Sequence, residues 1–347
     1  IFKVPLFYDA HEYWPEADLA SFEFEKQFWV EMERRLVIHA DYRQTVSPEI
    51  AAIMKEQYEC EFEVTPNAEP MDESNLTLLK PKRSSAQCHF LYQGAFAVGR
   101  GIDLLIKVWP NTDERAILSL RGPENSYKLK IKKIASTTGL LDKRIFFPEP
   151  VSESHLIKAA TDADVGLIPY TPTGINYKHC CPNKLSQYMA AGIAILANRT
   201  SFVSDTIQSA ACGIVVDFAQ AAKLESAIND LTKNYAQRTL YGEKARLFFD
   251  NEFNWEAVSK RFYEALVVHT DAYSPDEFEL FELNTDPYIS ERPCNSPSKI
   301  IFDKPLISSR RSILFTAMRK CWHMLPDRLR MHLVPVASRI QSRYSAR

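Results

Sequence analysis

The sequence predicts an α/β protein with two Rossmann-like domains, and three observations support this class. Short apolar strands alternate with amphipathic helices from residue 89 to residue 216. Strands and helices of these lengths are typical of doubly wound parallel sheets, which bind ligands at the carboxyl ends of their strands. A chain of 347 residues with 46% hydrophobic and 25% charged content can also bury a sizeable core.

Residues 1–68 are expected to be the remnant of a first, acceptor-side domain. Ser47 suits a helix N-cap and Pro48 the first helical position, which predicts a helix over 48–58. Because Ile1 already lies within a strand-like run, we expect earlier strands of this domain to precede it. The other elements expected here are strands at 2–9, 45–46 and 61–65 and a helix at 22–38.

A polar linker is expected over 69–87, and a second Rossmann-like domain with a closing helix over 88–270. Parallel strands would bring Gly94, Gly122 and residues 169–184 to one edge of its sheet. Its predicted strands are 89–94, 116–120, 144–147, 165–169, 193–197 and 213–216. Its predicted helices are 102–108, 126–137, 154–160, 183–191, 202–209 and 219–231, one reaching residue 249, and 255–269.

Composition excludes several classes of function. A net charge of −2 gives no basic excess for a nucleic-acid partner. The seven cysteines have no CxxC spacing, so they predict neither a disulfide framework nor a zinc site and fit a reducing cytoplasm. No apolar run approaches the roughly 20 residues that cross a bilayer. We therefore expect a cytoplasmic protein, at most peripheral on the inner face of the membrane.

A glycine-rich phosphate cradle is excluded, because only ten glycines occur and neither GxGxxG nor GxxxxGK[ST] is present. Two helix starts could hold a phosphate through backbone N–H groups and a nearby cation. Arg100 precedes the first, while Lys184 and Gln187 lie on one face of the second. Taken alone, the Arg100 segment is more often a turn with a solvated arginine. Lys184 and Gln187, taken alone, are more often a pair of surface residues.

Taken together, the motifs resemble the carboxyl domain of the retaining GT-B glycosyltransferases called family four. The most specific pieces are GRG at 99–101 and PNKLSQYMAAG at 182–192, typical of a PNKLxEYMAAG subgroup. YDAHEYWPE at 8–16 resembles the end of that family's amino domain. The resemblance implies a GT-B fold with a truncated amino domain. It also implies transfer of a sugar, of the hexosyltransferase type, from a nucleotide diphosphate donor with retained configuration. Neither cofactor nor metal is required.

The resemblance also assigns roles to residues. Arg100 and Lys184 correspond to the basic pair on the donor diphosphate. Gln187 stands where the family usually has a Glu that accepts hydrogen bonds from the donor ribose, so restoring Glu is expected to preserve or tighten binding. The further donor-binding candidates are Gly94, Gly101, Asn176, Tyr177 and Asn183.

His11 and Glu12 correspond to a pair that faces the cleft of the family, and they are the catalytic candidates. The His would contact the transferred sugar, and Glu12 would polarise an acceptor hydroxyl. Glu12 could equally be an acid favoured by a helix dipole. The DxD spacing at 162–164 is rejected as a metal site, because it lies at the amino end of a predicted strand.

The last segment, 271–347, is expected to be a linker followed by a basic amphipathic tail. Residues 310–347 carry nine basic residues and one acid, with apolar residues interleaved. This pattern suits a helix on an anionic membrane surface, and a disordered tail is an equal alternative.

Three functions remain open at this stage. The first is sugar transfer to a lipid-linked or cell-surface glycan, as in polysaccharide biosynthesis. The second is a sugar-nucleotide epimerase of the same architecture, which needs paired acid and base groups that are not obvious here. The third is a noncatalytic module that binds a nucleotide sugar and partners an intact enzyme. An amino domain that begins at Ile1 would also leave the chain incomplete as a catalyst.

Overall fold

The structure is a computed structural model that describes residues 6–16, 23–71 and 87–271. These residues belong to one compact unit, Ile1–Glu279. A second unit, Leu280–Arg347, lies outside the described residues. The predictions for the basic tail and for most of the linker also fall outside them.

The amino-terminal part forms a parallel sheet with strand order β1-β2-β3. In β1 and β2, Phe7 pairs with Tyr42 and Ala10 with Thr45. Its described elements are β1 (Phe7–Ala10), a 3-10 helix (Trp14–Glu16), α1 (Glu23–Val37), β2 (Tyr42–Thr45), α2 (Pro48–Tyr58) and β3 (Glu63–Val64). The second strand lies three residues earlier than its predicted start.

Helix α2 begins where the sequence predicts. The side chain of Ser47 accepts a hydrogen bond from the backbone N–H of Ile50 at 3.4 Å, as an N-cap does. Ile50, Met54 and Tyr58 are buried on one face at four-residue spacing. They share a core cluster with Tyr188 of the carboxyl-terminal part, so this helix belongs to a core to which both parts contribute.

The carboxyl-terminal part is a parallel sheet of order β6-β5-β4-β7-β8-β9 in the described residues. Its strands are β4 (Cys88–Gln93), β5 (Ala116–Arg121), β6 (Ile145–Phe146), β7 (Val165–Ile168), β8 (Ala194–Asn198) and β9 (Gly213–Val216). Its helices are α3 (Ile102–Val108), α4 (Ser126–Thr137), α5 (Leu156–Ala160), α6 (Ile175–His179), α7 (Asn183–Ala190), α8 (Ser201–Ala210), α9 (Ala221–Lys233), α10 (Tyr235–Asn251), α11 (Trp255–Val258) and α12 (Lys260–Asp271). Short 3-10 helices occupy Trp109–Asn111 and Glu153–His155. The predicted α/β class with parallel sheets is confirmed.

Helix α7 is fixed against the centre of this sheet by Tyr188. The ring lies over Gly166, where an added Cβ would come within 2.3 Å of it. The phenol oxygen donates to the carbonyl of Leu91 and accepts from the N–H of Gln93, both at 3.1 Å. Since these partners belong to β7 and β4, α7 is held against the two central strands of the sheet.

Two predicted elements differ from the structure. The single helix expected over 255–269 is wrong, because α11 ends at Val258 and α12 begins at Lys260. Between them, Ser259 donates its hydroxyl to the carbonyl of Trp255 at 2.5 Å. Helix α6 lies between the predicted strand 165–169 and the predicted helix 183–191, where no element is predicted, and its first N–H donates to Glu16, which is distant in sequence. Local pattern cannot reveal a helix whose cap comes from another part of the chain.

Across the described ranges, every helix is too short or too polar to traverse a bilayer.

Candidate functional site

A cleft of about 700 Å³ lies at the carboxyl ends of β4, β5 and β7, beside the amino-terminal sheet. It is lined by nine of the ten predicted site residues: His11, Glu12, Gly94, Arg100, Asn176, Tyr177, Asn183, Lys184 and Gln187. The parallel topology therefore brings together residues that are up to 176 positions apart. Asn183 lies at the first residue of α7.

Two cations converge on one phenol oxygen in this cleft. Lys184 is 7% exposed, and its Nζ donates to Tyr170 Oη at 2.7 Å. The guanidinium of Arg100 donates to the same oxygen and stacks over the ring, 4.4 Å from its centroid. Within the described residues, neither cation takes part in a salt bridge, and Arg100 Nε is buried without a hydrogen-bond partner. No acid among the described residues forms an ion pair with either side chain, so this part of the cleft is suited to bind an anion.

The lysine responds to this environment. Burial lowers the pKa of Lys184 to about 7, and the neighbouring Arg100 acts on this pKa in the same direction. Desolvation penalises the ammonium form, and a like charge nearby adds to the penalty. An anion bound between the two side chains would relieve both effects.

Gly101 supports the site from behind. It does not line the cleft; it has a φ of +65°, and an added Cβ would lie 1.9 Å from the carbonyl oxygen of Pro169. Only glycine allows the turn that carries Arg100 to lie so close to the end of β7. Gly101 therefore helps to place Arg100, and its own donor-binding role stays a prediction.

We expect Gly101→Ala to lower the free energy of unfolding and to weaken anion binding, because backbone must move to admit the methyl group. Gly139→Ala is the matched control, since Gly139 has a φ of +72° and nothing within 4 Å of an added Cβ. Gly139→Ala should lower the free energy of unfolding by about 1 kcal/mol, the strain of a left-handed backbone at a non-glycine residue. Urea unfolding of both variants measures the difference. If both variants lose the same free energy of unfolding, the close approach of Gly101 to Pro169 has no consequence for stability.

Helix α6 connects the two parts of the cleft. The side-chain amide of Asn176 accepts from the N–H of Tyr13 at 2.8 Å and donates to its carbonyl at 3.0 Å. Glu16 accepts from the first N–H of the helix at 2.9 Å. On the other side, the ring of Tyr177 lies 5.4 Å from the guanidinium of Arg100. The amide of Asn176 is therefore used to join the segment after Glu12 to the helix that covers Arg100.

We expect Asn176→Ala to reduce both the turnover and the protection of residues 6–16 from proteases, because two hydrogen bonds to the Tyr13 backbone are lost. A hydrogen bond contributes about 0.5 to 1.5 kcal/mol. Asn251→Ala is the control, since Asn251 is exposed on α10 and only donates to Leu247. Limited proteolysis with mass spectrometry measures the change. If both variants are cleaved like the wild type, the contact does not hold the two parts together.

His11 is held by two acceptors. Its Nδ1 lies 3.1 Å from Asn67 Oδ1, and its Nε2 lies 3.0 Å from a carboxylate oxygen of Asp9. The hydrogen bond to Asp9 raises the pKa of His11, which favours the charged imidazolium. Asn67 in turn donates to the carbonyl of Cys181 at 2.8 Å, just before α7. The side chains of His11 and Glu12 therefore line the cleft from the amino-terminal side.

Sequence reasoning missed the partner of Gln187. Gln187 Oε1 accepts from Gln93 Nε2 at 3.0 Å, while Gln187 Nε2 donates to Glu69 Oε1 at 2.8 Å. Burial raises the pKa of the Glu69 carboxyl, and the bond from Gln187 opposes this shift. Glu69 lies in the predicted linker, where nothing in the local pattern marks it as a site residue.

The DxD spacing at 162–164 lies at the opposite end of the sheet. There, the carboxylate of Asp164 accepts from the backbone N–H of His89 at 2.8 Å, at the start of β4. Asp164 directly precedes β7, so this hydrogen bond joins the start of β7 to the start of β4. Within the described ranges, no group of three or more His, Cys, Asp or Glu side chains is arranged to hold a metal ion.

Residues 80–248 match the family model described as glycosyl transferases group 1. Among curated proteins, no sequence matches the chain. This family match covers the whole six-stranded sheet together with helices α3 to α9 and most of α10.

Solved structures with the same fold share low sequence identity with this chain. Sucrose-phosphate synthase from Thermosynechococcus elongatus has a TM-score of 0.62 at 18% identity, over 77% of this chain and 68% of that one. HepE from Anabaena in complex with UDP and glucose has a TM-score of 0.61 at 13% identity, over 76% and 71%. TarM has a TM-score of 0.59 at 16% identity, and the chain spans only 50% of its length. The chain therefore has the GT-B fold, and its residues 80–248 match the glycosyl transferases group 1 model.

Proposed function

We propose that the protein transfers a sugar from a nucleotide diphosphate sugar to an acceptor, with the diphosphate between Arg100 and Lys184. The observation that supports this most strongly is the pair of largely buried cations that share Tyr170 and have no acidic partner among the described residues. Structures of the same fold contain UDP or UDP-glucose, which supports a nucleotide-sugar donor.

Catalysis on this proposal comes from positioning and from charge. As the bond between the sugar and the diphosphate breaks, negative charge grows on the departing phosphate oxygens. A guanidinium and an ammonium fixed in a buried cleft stabilise that charge more strongly than water does. The helix α7 starts at Asn183, so its N-terminal dipole adds to the stabilisation. Retention of configuration is proposed from the resemblance of the motifs.

His11 and Glu12 are proposed to act from the acceptor side. The hydrogen bond to Asp9 raises the pKa of His11, and a ring N–H of His11 would donate a hydrogen bond to the transferred sugar after exchanging one partner. Glu12 lines the same cleft and would polarise the acceptor hydroxyl. We propose a lipid-linked or cell-surface glycan as acceptor. We further propose that the basic segment 310–347 rests on an anionic membrane at the inner face.

The experiment is to incubate the full chain with UDP-, GDP- and ADP-sugars and to measure release of nucleoside diphosphate. We expect release with one nucleotide, and its loss in Lys184→Ala. Binding without release would instead indicate a noncatalytic module. Conversion of the sugar while it remains attached to the nucleotide would indicate an epimerase.

A further inference from the structure

Glu69 is fixed in place by three hydrogen bonds to two helices, α7 and α11. Its backbone N–H donates to Ser186 Oγ at 2.8 Å, and its carbonyl accepts from the N–H of Trp255 at 2.9 Å. Its carboxylate accepts from Gln187 Nε2 at 2.8 Å. Because both ends of the Glu69 backbone are tied, the carboxylate cannot easily move away from Gln187.

This contact sets the orientation of the side-chain amide of Gln187. Gln187 Nε2 donates to the Glu69 carboxyl oxygen, so the NH₂ group of Gln187 faces Glu69. The carbonyl oxygen then faces Gln93, from which it accepts one hydrogen bond at 3.0 Å. A carbonyl oxygen has a second lone pair. Since Gln187 lines the cleft, that lone pair is available to a hydroxyl group of a bound ligand.

We propose that Glu69 is a positioning residue that fixes the Gln187 amide, so that its carbonyl oxygen accepts a hydrogen bond from a nucleoside hydroxyl. The inference rests on the proposed function, because it names how the same cleft recognises the ribose of a nucleotide. The subsite thus selects ribonucleotides through a pair of residues, one from the connecting segment and one from α7.

The proposal reverses the sequence-based expectation for Gln187→Glu. In Gln187→Glu, a carboxylate would face the Glu69 carboxylate. Gln187 Nε2 now lies 2.8 Å from Glu69 Oε1. Two carboxylates at this distance cannot both be ionised without a large penalty. Gln187→Glu alone should therefore destabilise the protein and lower nucleotide affinity. The double variant Glu69→Gln with Gln187→Glu again pairs an amide with a carboxylate. The amide at position 69 can donate to the carboxylate at position 187.

The test measures affinity for a ribonucleoside diphosphate and for its 2′,3′-dideoxy counterpart, with UDP as the first probe. The wild type should prefer the ribonucleotide by about tenfold, the effect of one to two hydrogen bonds. Glu69→Gln should lower this preference severalfold, because an amide at that position can donate as well as accept and no longer sets the orientation of Gln187. The exchanged double variant should restore the preference. Glu61→Gln is the control, since Glu61 is an exposed acid with only Lys55 as ion-pair partner.

Thermal unfolding of each variant separates misfolding from lost recognition, because a structural role alone would not change the ratio of the two affinities. An unchanged ratio in Glu69→Gln, or a double variant no better than Gln187→Glu, would overturn the inference while the proposed function stands. Absence of binding to any ribonucleoside diphosphate would overturn the proposed function and the inference with it.

Discussion

Replacement of Arg100 or Lys184 by alanine should weaken nucleoside diphosphate binding by about 10- to 150-fold each. A charge-assisted hydrogen bond from either side chain to a phosphate contributes about 1.5 to 3 kcal/mol. Both side chains are largely buried and share the phenol oxygen of Tyr170, which leaves their charge unneutralised within the described residues. Isothermal titration calorimetry of both single variants and of the double variant measures the loss.

Matched controls exist on the surface. Lys107 pairs with Asp103 on α3, and Arg35 pairs with Glu31 on α1, both in exposed positions. Lys107→Ala and Arg35→Ala should leave the affinity unchanged, since exposed pairs far from the cleft contribute little. If the cleft variants bind nucleotide as tightly as these controls, Arg100 and Lys184 do not hold the diphosphate.

Binding of the diphosphate should take up a proton above pH 7. The ordinary pKa of a lysine is near 10.5, and burial lowers the pKa of Lys184 to about 7. Between pH 7 and pH 10.5 the folded protein binds fewer protons than the unfolded chain, so its free energy of unfolding without ligand rises with pH. A bound diphosphate stabilises the ammonium form and raises the pKa again. Affinity should therefore fall as pH rises through and above 7, by up to about tenfold per unit.

The measurement is calorimetry at pH 8 in two buffers with different ionisation enthalpies. Wild-type protein should take up close to one proton per nucleotide, since a base with a pKa of about 7 is mostly neutral there. Lys184→Met removes the titrating group, and its proton uptake should be near zero. Uptake that persists in this variant would assign the proton to another group, of which His11 is the first to examine.

Much of the fold follows from local sequence signals. Ser47 and Pro48 mark the start of α2, and the predicted bounds of α3 and α4 agree with the structure. These helices have their caps and apolar spacing within a few residues of one another, so a local pattern contains the information. Helix α6 does not, because its cap is Glu16, more than 150 residues earlier in the chain. Its existence depends on tertiary contact.

The candidate site was predictable only in part, for the same reason. Arg100 and Lys184 follow the ends of two strands, and parallel topology requires such residues to meet. Glu69 and the bonding of Asn176 were not predictable, because their partners Gln187 and Tyr13 are distant in sequence. A single sequence contains no signal for a pair that forms only when two separate sheets pack together.

We propose that the cleft binds the diphosphate of a nucleotide through Arg100 and Lys184. The most direct measurement compares the affinity of the full chain for UDP, or for the best-binding nucleoside diphosphate, with that for the corresponding monophosphate. We predict that the diphosphate binds at least about tenfold more tightly, because one more charged phosphate reaches the two cations. We also predict that the double variant with alanine at both positions loses this preference. Equal affinities in the wild type, or a preference that survives in the double variant, would contradict the account.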